Sequence, residues 1–391
     1  MNMNNSMAAV PAARAVQLVM VAGEVSGDMH AAGLIAELKK MEADMEFSGI
    51  GGDCMIRQGF QAVFHVRQMA FLGLGEVIRH LPAIGRVFRN LIAHIQEVKP
   101  QAVILVDYPG FNLRLARRIK KMGIPVIYYI SPQLWAWGTS RVKRIKKHVD
   151  HMLVLFPFEV EFYARYGIRA DYVGHPLVDI YFDRVRPKTF NPAAGIVLGL
   201  LPGSRMQELS NLLPKMIATG KILYQKNLIN RVLIAGVNHI PDAVYKQYIG
   251  GENYIELYRE NMDRFYNQLD AALVSSGTAT LETAYFQVPM IIVYQVHRLT
   301  WWLGKMLVRL EFIGLANIVA GEKVADELLQ DNFQIRKTAV LLAGLLQQSA
   351  NDQARAKLKV IPEKLGPPGA SLQAAKKIVE YIKTGKTTGR V

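Results

Sequence analysis

Cysteine is almost absent. Cys54 is the only one in 391 residues, so no intrachain disulfide can form and a small disulfide-stapled scaffold is excluded. A long apolar run is missing too. A membrane-crossing helix needs about 20 consecutive apolar residues. The longest uncharged stretch, Met122 to Ser140, is cut by Gly123, Pro125, Pro132 and Gly138, and reads as a strand followed by a loop. Metal-ligand spacing is also lacking: the histidines form no His-x-x-x-His or Cys/His pattern, so no metal and no cofactor are expected. Acidic residues are the scarcer sign, 32 Asp plus Glu against 47 Lys plus Arg, for a net charge of +15. Such a balance expects an anionic partner: nucleic acid, an anionic membrane face or a phosphorylated substrate. Charged residues are only 20% and apolar residues 51%, which excludes a disordered chain.

Apolar runs rich in Val, Ile and Leu recur with room for a helix between them: Ala15 to Val21, Ala102 to Val106, Pro125 to Ile130 and His151 to Phe156. Continuous rather than alternating runs fit strands buried on both faces, as in a parallel sheet. The stretch Ala31 to Met41 carries helical spacing. Between Gly174 and Ala194 the dipeptides His175-Pro176, Arg186-Pro187 and Asn191-Pro192 disfavour helix and strand and suggest a linker. A second series follows at Ile196 to Leu201, Arg231 to Ala235, Asn253 to Leu257, Ala271 to Val274 and Met290 to Tyr294. Two such series predict two doubly wound α/β domains facing a cleft. The expected division is a disordered lead at 1–14, a first domain at 15–174, a linker at 175–194, a second domain at 195–366, and a terminal helix and tail at 367–391. The lead has no basic flank before an apolar core, so it is not read as a secretory signal.

In open α/β sheets ligands sit at the carboxyl ends of strands. The first strand ends in Ala22-Gly23-Glu24-Val25-Ser26-Gly27-Asp28, which is not the Gly-x-Gly-x-x-Gly dinucleotide fingerprint; Ser26 or Asp28 could equally cap the helix that follows. The strand ending at Val106 delivers Asp107, placed either as a general base or as a turn residue ahead of Pro109. Leu201-Pro202-Gly203-Ser204-Arg205 offers a close backbone approach, helix-start N–H groups and a bidentate guanidinium, a combination that suits phosphate. The loop Ser275-Ser276-Gly277-Thr278, before Glu282, repeats that logic in the same half, and two such loops suit a diphosphate. Neither carries a Walker lysine. Two features concern surfaces. Met69 to Ile95 is apolar at helical spacing with Arg79, Arg86 and Arg89 among the apolar residues, and reads as a core stripe or an interfacial segment. Arg141 to His148 concentrates cations on a short helix.

Taken together, these strings resemble one family, lipid-A-disaccharide synthase. The resemblance runs from about Leu18 to Leu346 on AGEVSGD at 22–28, VDYPGFN at 106–112, ISPQLWAWG at 130–138, FPFE at 156–159, VGHPLVD at 173–179, LLPGSRMQE at 200–208, SSGTATLE at 275–282 and ANIVAGE at 316–322. It implies a GT-B fold and an inverting transfer from UDP-2,3-diacylglucosamine to the 6-hydroxyl of 2,3-diacylglucosamine 1-phosphate. The product would be a β-1',6-linked disaccharide and UDP. Carried over residue by residue, it implies Asp107 as candidate base and Arg205 as the group holding the diphosphate. Nucleotide-sugar contacts are expected at Gly203, Ser204, Ser276, Gly277, Thr278, Glu282, Asn317 and Gln334, and acceptor contacts at Glu24, Ser26 and Asp107. Gly110 stands where the family string commonly has a second aspartate, and Ala316 where it often has proline.

Diacylated substrates stay in a bilayer, since each buried CH₂ contributes about 0.8 kcal/mol. The expected contacts with the cytoplasmic face of an anionic inner membrane are Phe71, Leu72, Leu74, Val77, Leu81, Arg141, Lys143 and Arg144. The protein is accordingly placed in the cytoplasm, peripherally attached, with a homodimer left open. Another UDP-sugar enzyme of the same fold is the nearest rival. A basic nucleic-acid-binding protein would leave both phosphate loops and Asp107 unexplained.

Overall fold

A computed structural model of the chain describes residues 15–68, 77–135, 139–186, 188–295 and 311–385. Its first sheet contains β1 (Val16–Ala22), β2 (Met45–Gly51), β3 (Gln61–His65), β4 (Ala102–Val106), β5 (Val126–Tyr129), β6 (His151–Val154) and β7 (Ala170–Tyr172), in the order β3-β2-β1-β4-β5-β6-β7. The second contains β8 (Val197–Leu201), β9 (Arg231–Ala235), β10 (Ile255–Tyr258), β11 (Ala271–Ser275), β12 (Met290–Tyr294) and β13 (Asp326–Leu329), in the order β10-β9-β8-β11-β12-β13. Every strand pair is parallel. The order in which strands are added therefore reverses at one place in each sheet, between β1 and β4 in the first and between β8 and β11 in the second. This is a GT-B fold, two Rossmann-like sheets each with a switch point that opens a crevice.

The central strands β4, β5, β6 and β11 are buried throughout, as continuous apolar runs require. Each expected strand is present. Four others, β2, β3, β7 and β13, escaped the apolar pattern. Of these β3, β7 and β13 close sheet edges and are half exposed, and β2 is interrupted by Glu46, Ser48 and Gly49.

The stretch expected to be poor in helix contains one, Pro176–Tyr181. His175 is its N-cap, with Nδ1 accepting the Leu177 N–H at 3.1 Å, and Pro176 occupies the first helical position, where its missing N–H costs nothing. The His-Pro pair is thus a helix start rather than a breaker. Asp179 on this helix accepts the N–H groups of Gly369, Ala370 and Ser371 at 2.6, 3.1 and 2.8 Å, capping the terminal helix Ala370–Thr384. That helix packs on Val25–Met41 of the first half, with Lys383 paired to Glu42. One apolar cluster runs from Leu18 and Leu34 through Val173, Leu177 and Tyr181 to Phe265, Tyr266 and Phe286 of the second half.

Helix Val77–Val98 corrects part of the interfacial reading. Leu91 and Ile95 are fully buried, and Ile84, Val87, Phe88 and Ile92 pack against the core under β4 and β5. From Ile84 onward the stripe is core. Phe71, Leu72 and Leu74 lie outside the described residues, and so do the side chains of Val77 and Leu81.

Candidate active site

The loops at the two switch points hold Glu24, Asp107, Gly203, Ser204, Arg205, Ser276 and Gly277. Asp107 leaves β4 with φ +45°, and Tyr108 follows at +48°. Two successive non-glycine residues in the left-handed region cost of order 1–3 kcal/mol each, so the surroundings must hold them. The Asn112 side-chain amide donates to the carbonyl of Asp107 at 2.7 Å and of Val106 at 3.2 Å, and the Tyr128 hydroxyl donates to the Asp107 carbonyl at 2.6 Å. The Asp107 N–H donates to Tyr129 O at 3.2 Å. Pro109 then starts helix Pro109–Lys121. The result is a carboxylate turned out of the strand end by a clamped backbone.

Asp107 keeps some contact with solvent, yet protein crowds its carboxyl on most sides. Burial, and then the Glu24 carboxylate nearby, push it up to about 7, while the Tyr108 N–H and Arg205 pull the other way. Glu24 lies just past β1 at the N-cap of helix Val25–Met41. The Tyr108 ring covers Gly23, and a Cβ there would run into it. Ser26, half exposed, is the second residue of helix Val25–Met41. Asp28 caps a different helix from its own: its carboxylate accepts the N–H groups of Gly52, Cys54 and Met55 at 2.7, 3.0 and 3.1 Å, at the start of Asp53–Arg57.

At the second switch point β8 runs into Gly203, whose φ of +104° and closeness to the Glu208 carboxylate leave room for no side chain. Arg205 precedes helix Met206–Gln225 and reaches both halves of the molecule. Its Nη2 donates to Glu24 Oε1 at 3.0 Å and its Nη1 to Glu208 Oε1 at 3.3 Å. Burial opposes its charge, but the two carboxylates outweigh that and hold the guanidinium above its ordinary range. Glu24, Asp107 and Arg205 thus form one charged group across the cleft.

Beyond β11, Ser276 donates its hydroxyl to Ile313 O at 3.2 Å, and Gly277 and Thr278 open helix Thr278–Tyr285 with Gly277 exposed. The first N–H groups of a helix lack intrahelical partners and suit an anion. One turn along, the Glu282 carboxylate accepts the Tyr266 hydroxyl at 2.8 Å, and burial raises its pKa.

Asn317 requires a correction. It is fully buried, and its amide donates to Ala325 O at 2.9 Å and Glu327 Oε1 at 2.8 Å, while its oxygen accepts the N–H groups of Val324 and Ala325, both at 2.9 Å. All four hydrogen-bonding positions of the side chain are filled. Asn317 therefore fastens the segment before β13 and has nothing left for a nucleotide. Gln334 is exposed at the start of helix Ile335–Leu345, donating to Asp331 O at 3.1 Å.

Sequence reasoning missed Asn112 and Tyr128, the clamp on Asp107. It also missed His239, whose Nε2 lies 2.8 Å from Ser204 O. His239 follows β9, a strand end like the others, and that position is its only signal in the sequence. Among the described residues no cluster of potential metal ligands occurs.

On the outer face, Arg141, Lys143 and Arg144 are exposed around helix Val142–His148, whose Val142 and Ile145 face the core. Helix Pro109–Lys121 packs beside it with Arg114, Arg117, Arg118 and Lys121 exposed. Burial first, then Lys147, Arg117, Lys120 and Lys121, lower the His148 pKa, so these cations share one surface. Among the described residues no helix is long and apolar enough to cross a membrane.

Comparison with known proteins gives a consistent result. A family model described as lipid-A-disaccharide synthetase matches residues 18–373. The chain is 38% identical over 379 residues to lipid-A-disaccharide synthase of Geobacter sulfurreducens, covering 94% of this chain and 97% of that one. It is 39% identical over 383 residues to the synthase of Nitrosococcus oceani, covering 95% and 98%. Among solved structures it resembles a UDP-GlcNAc 2-epimerase from Neisseria meningitidis bound to UDP-GlcNAc, with a TM-score of 0.64 and 11% identity over 93% of this chain and 100% of that chain. It also resembles MurG of Acinetobacter baumannii, with a TM-score of 0.54 and 14% identity over 93% and 99%. At those identities the structural likeness concerns the fold alone.

Proposed function

The chain belongs to the lipid-A-disaccharide synthase family, and from that premise we propose how its cleft carries out the family's glycosyl transfer. The reaction moves 2,3-diacylglucosamine from its UDP carrier to the 6-hydroxyl of 2,3-diacylglucosamine 1-phosphate, releasing UDP. The acceptor oxygen attacks the anomeric carbon, the bond from that carbon to the diphosphate breaks, and the configuration inverts.

Asp107 takes the proton of the attacking hydroxyl. The observation that carries this role is its carboxyl, turned out of β4 at the switch point and pushed up to about 7, where a base is both available and strong enough at neutral pH. Arg205 holds the diphosphate and neutralises charge as it grows on the leaving group. Gly203 and Ser204 on one loop, and Ser276, Gly277 and Thr278 on the other, surround the same anion. Glu282 accepts from the ribose, Gln334 borders the donor, and Glu24 and Ser26 contact the acceptor.

The basic face formed by Arg141, Lys143 and Arg144 with Arg114, Arg117 and Arg118 rests on anionic headgroups, where each cation contributes about 1 kcal/mol. Both lipid substrates are met there, on the cytoplasmic side of the membrane.

Steady-state kinetics in detergent micelles test the assignment of roles. Asp107→Asn should lower kcat by about 10²–10⁴ with UDP affinity unchanged, whereas Arg205→Ala should weaken UDP binding as well. A folded Asp107→Asn variant turning over at the wild-type rate removes Asp107 as the base.

A further inference from the structure

Glu24 and Arg205 stand at the two switch points, on opposite sheets, and they meet at 3.0 Å. The other arm of the guanidinium is held by Glu208 at 3.3 Å. Both prongs of the fork thus carry carboxylates in the place where the reading above needs diphosphate oxygens. Glu208 lies three residues away, in the first turn of the helix that Arg205 precedes, and stays with Arg205 whatever the domains do. Glu24 comes from the other half. Its side chain is 40% exposed and that of Arg205 60%, and a pair so open to water is weak. A diphosphate carries more charge, and its oxygens match the flat fork in two parallel bonds.

We infer that Glu24 is an exchangeable counter-ion of Arg205, a positioning residue that occupies the donor's anion site until the donor arrives. The diphosphate takes the guanidinium and repels the freed carboxylate, which turns to the acceptor hydroxyls beside Asp107. Donor binding therefore completes the acceptor subsite, and the substrates add in that order. The exchange rests on Arg205 being the diphosphate ligand, and the test separates the two claims.

The test is calorimetric titration of UDP into the full chain at low salt, for wild type, Glu24→Gln, Glu24→Asp and Arg205→Ala. Glu24→Gln should bind UDP about three- to five-fold more tightly than wild type, because the competing charge is gone. Glu24→Asp keeps the charge but falls one methylene short, and should lie between the two. In turnover, Glu24→Gln should lower the KM for donor while raising that for acceptor, a split that a merely structural role would not produce. Glu24→Gln and Glu24→Asp binding UDP no more tightly than wild type, with Arg205→Ala weakened, would overturn the exchange alone. Arg205→Ala binding UDP as wild type does would instead remove the diphosphate role on which the exchange depends.

Discussion

The amide of Asn112 holds the backbone carbonyl of Asp107 at 2.7 Å, five residues back along the chain. That bond, with the Tyr128 hydroxyl at 2.6 Å on the same oxygen, keeps a left-handed aspartate aimed into the cleft. Asn112 is itself fully buried, so it is fixed by packing before it fixes anything else.

Replacing Asn112 by Ala should therefore cost both stability and rate. Three carbonyls, those of Val21, Val106 and Asp107, lose the amide as a donor, and Asp107 O keeps only the Tyr128 hydroxyl, for a loss of about 1–3 kcal/mol. Thermal melting should show a lower Tm, and steady-state kinetics a kcat reduced at least about ten-fold with donor KM little changed. Unaltered kcat in a destabilised variant would show that the clamp serves folding only.

The titration of Asp107 links activity and stability to pH. Its carboxyl is raised from 3.8 to about 7, so between those values the folded chain holds a proton that the unfolded chain has lost. The stability this contributes is fully present below about pH 4 and is lost as pH rises through about 7. Asp107→Asn cannot titrate, so its melting temperature relative to wild type should improve from pH 5 to pH 8. Over the same range kcat/KM of the wild type should rise with its midpoint near pH 7 and level off above it. Glu24→Gln removes a carboxylate that raises the Asp107 pKa, and should move that rise to lower pH.

Asn317 gives a prediction of the opposite kind. With every hydrogen-bonding position spent on the protein, Asn317→Ala should destabilise the fold by about 2 kcal/mol or more and leave UDP affinity of the folded fraction unchanged in calorimetric titration. A large loss of UDP affinity at unchanged Tm would return it to the nucleotide site.

Asp179 ties the terminal helix to the first half through three N–H groups. Asp179→Ala should cost about 1–2 kcal/mol, the usual value of a helix cap. Hydrogen exchange should quicken in 370–384 ahead of the rest of the chain. Uniform quickening would show instead that the helix does not open on its own.

Much of this fold is legible in the sequence because central parallel strands must be apolar on both faces, as in Leu18 to Ala22 and Ala102 to Val106. Strands β3, β7 and β13 are not legible, since an edge strand meets solvent and can mix residues such as Gln61, Asp171 and Glu327 into its length. The helix at Pro176–Tyr181 is hidden because proline breaks a helix only away from its first turn. At the candidate site, Asp107 and Arg205 announce themselves by position after a strand. What local sequence leaves out is long-range pairing. Nothing near Glu24 shows that its partner lies 181 residues away, and nothing in the string around Asn317 shows that its four bonds close inward on 324–327.

The central claim is glycosyl transfer in this cleft with Asp107 as base, and product analysis tests it most directly. Purified wild type and Asp107→Asn would each be incubated in detergent with UDP-2,3-diacylglucosamine and 2,3-diacylglucosamine 1-phosphate, and the lipids resolved by mass spectrometry. The account predicts the tetraacyl disaccharide 1-phosphate with equimolar UDP from the wild type and only traces from a folded variant that still binds UDP. No disaccharide from a wild type that binds UDP, or equal yields from both proteins, would contradict it.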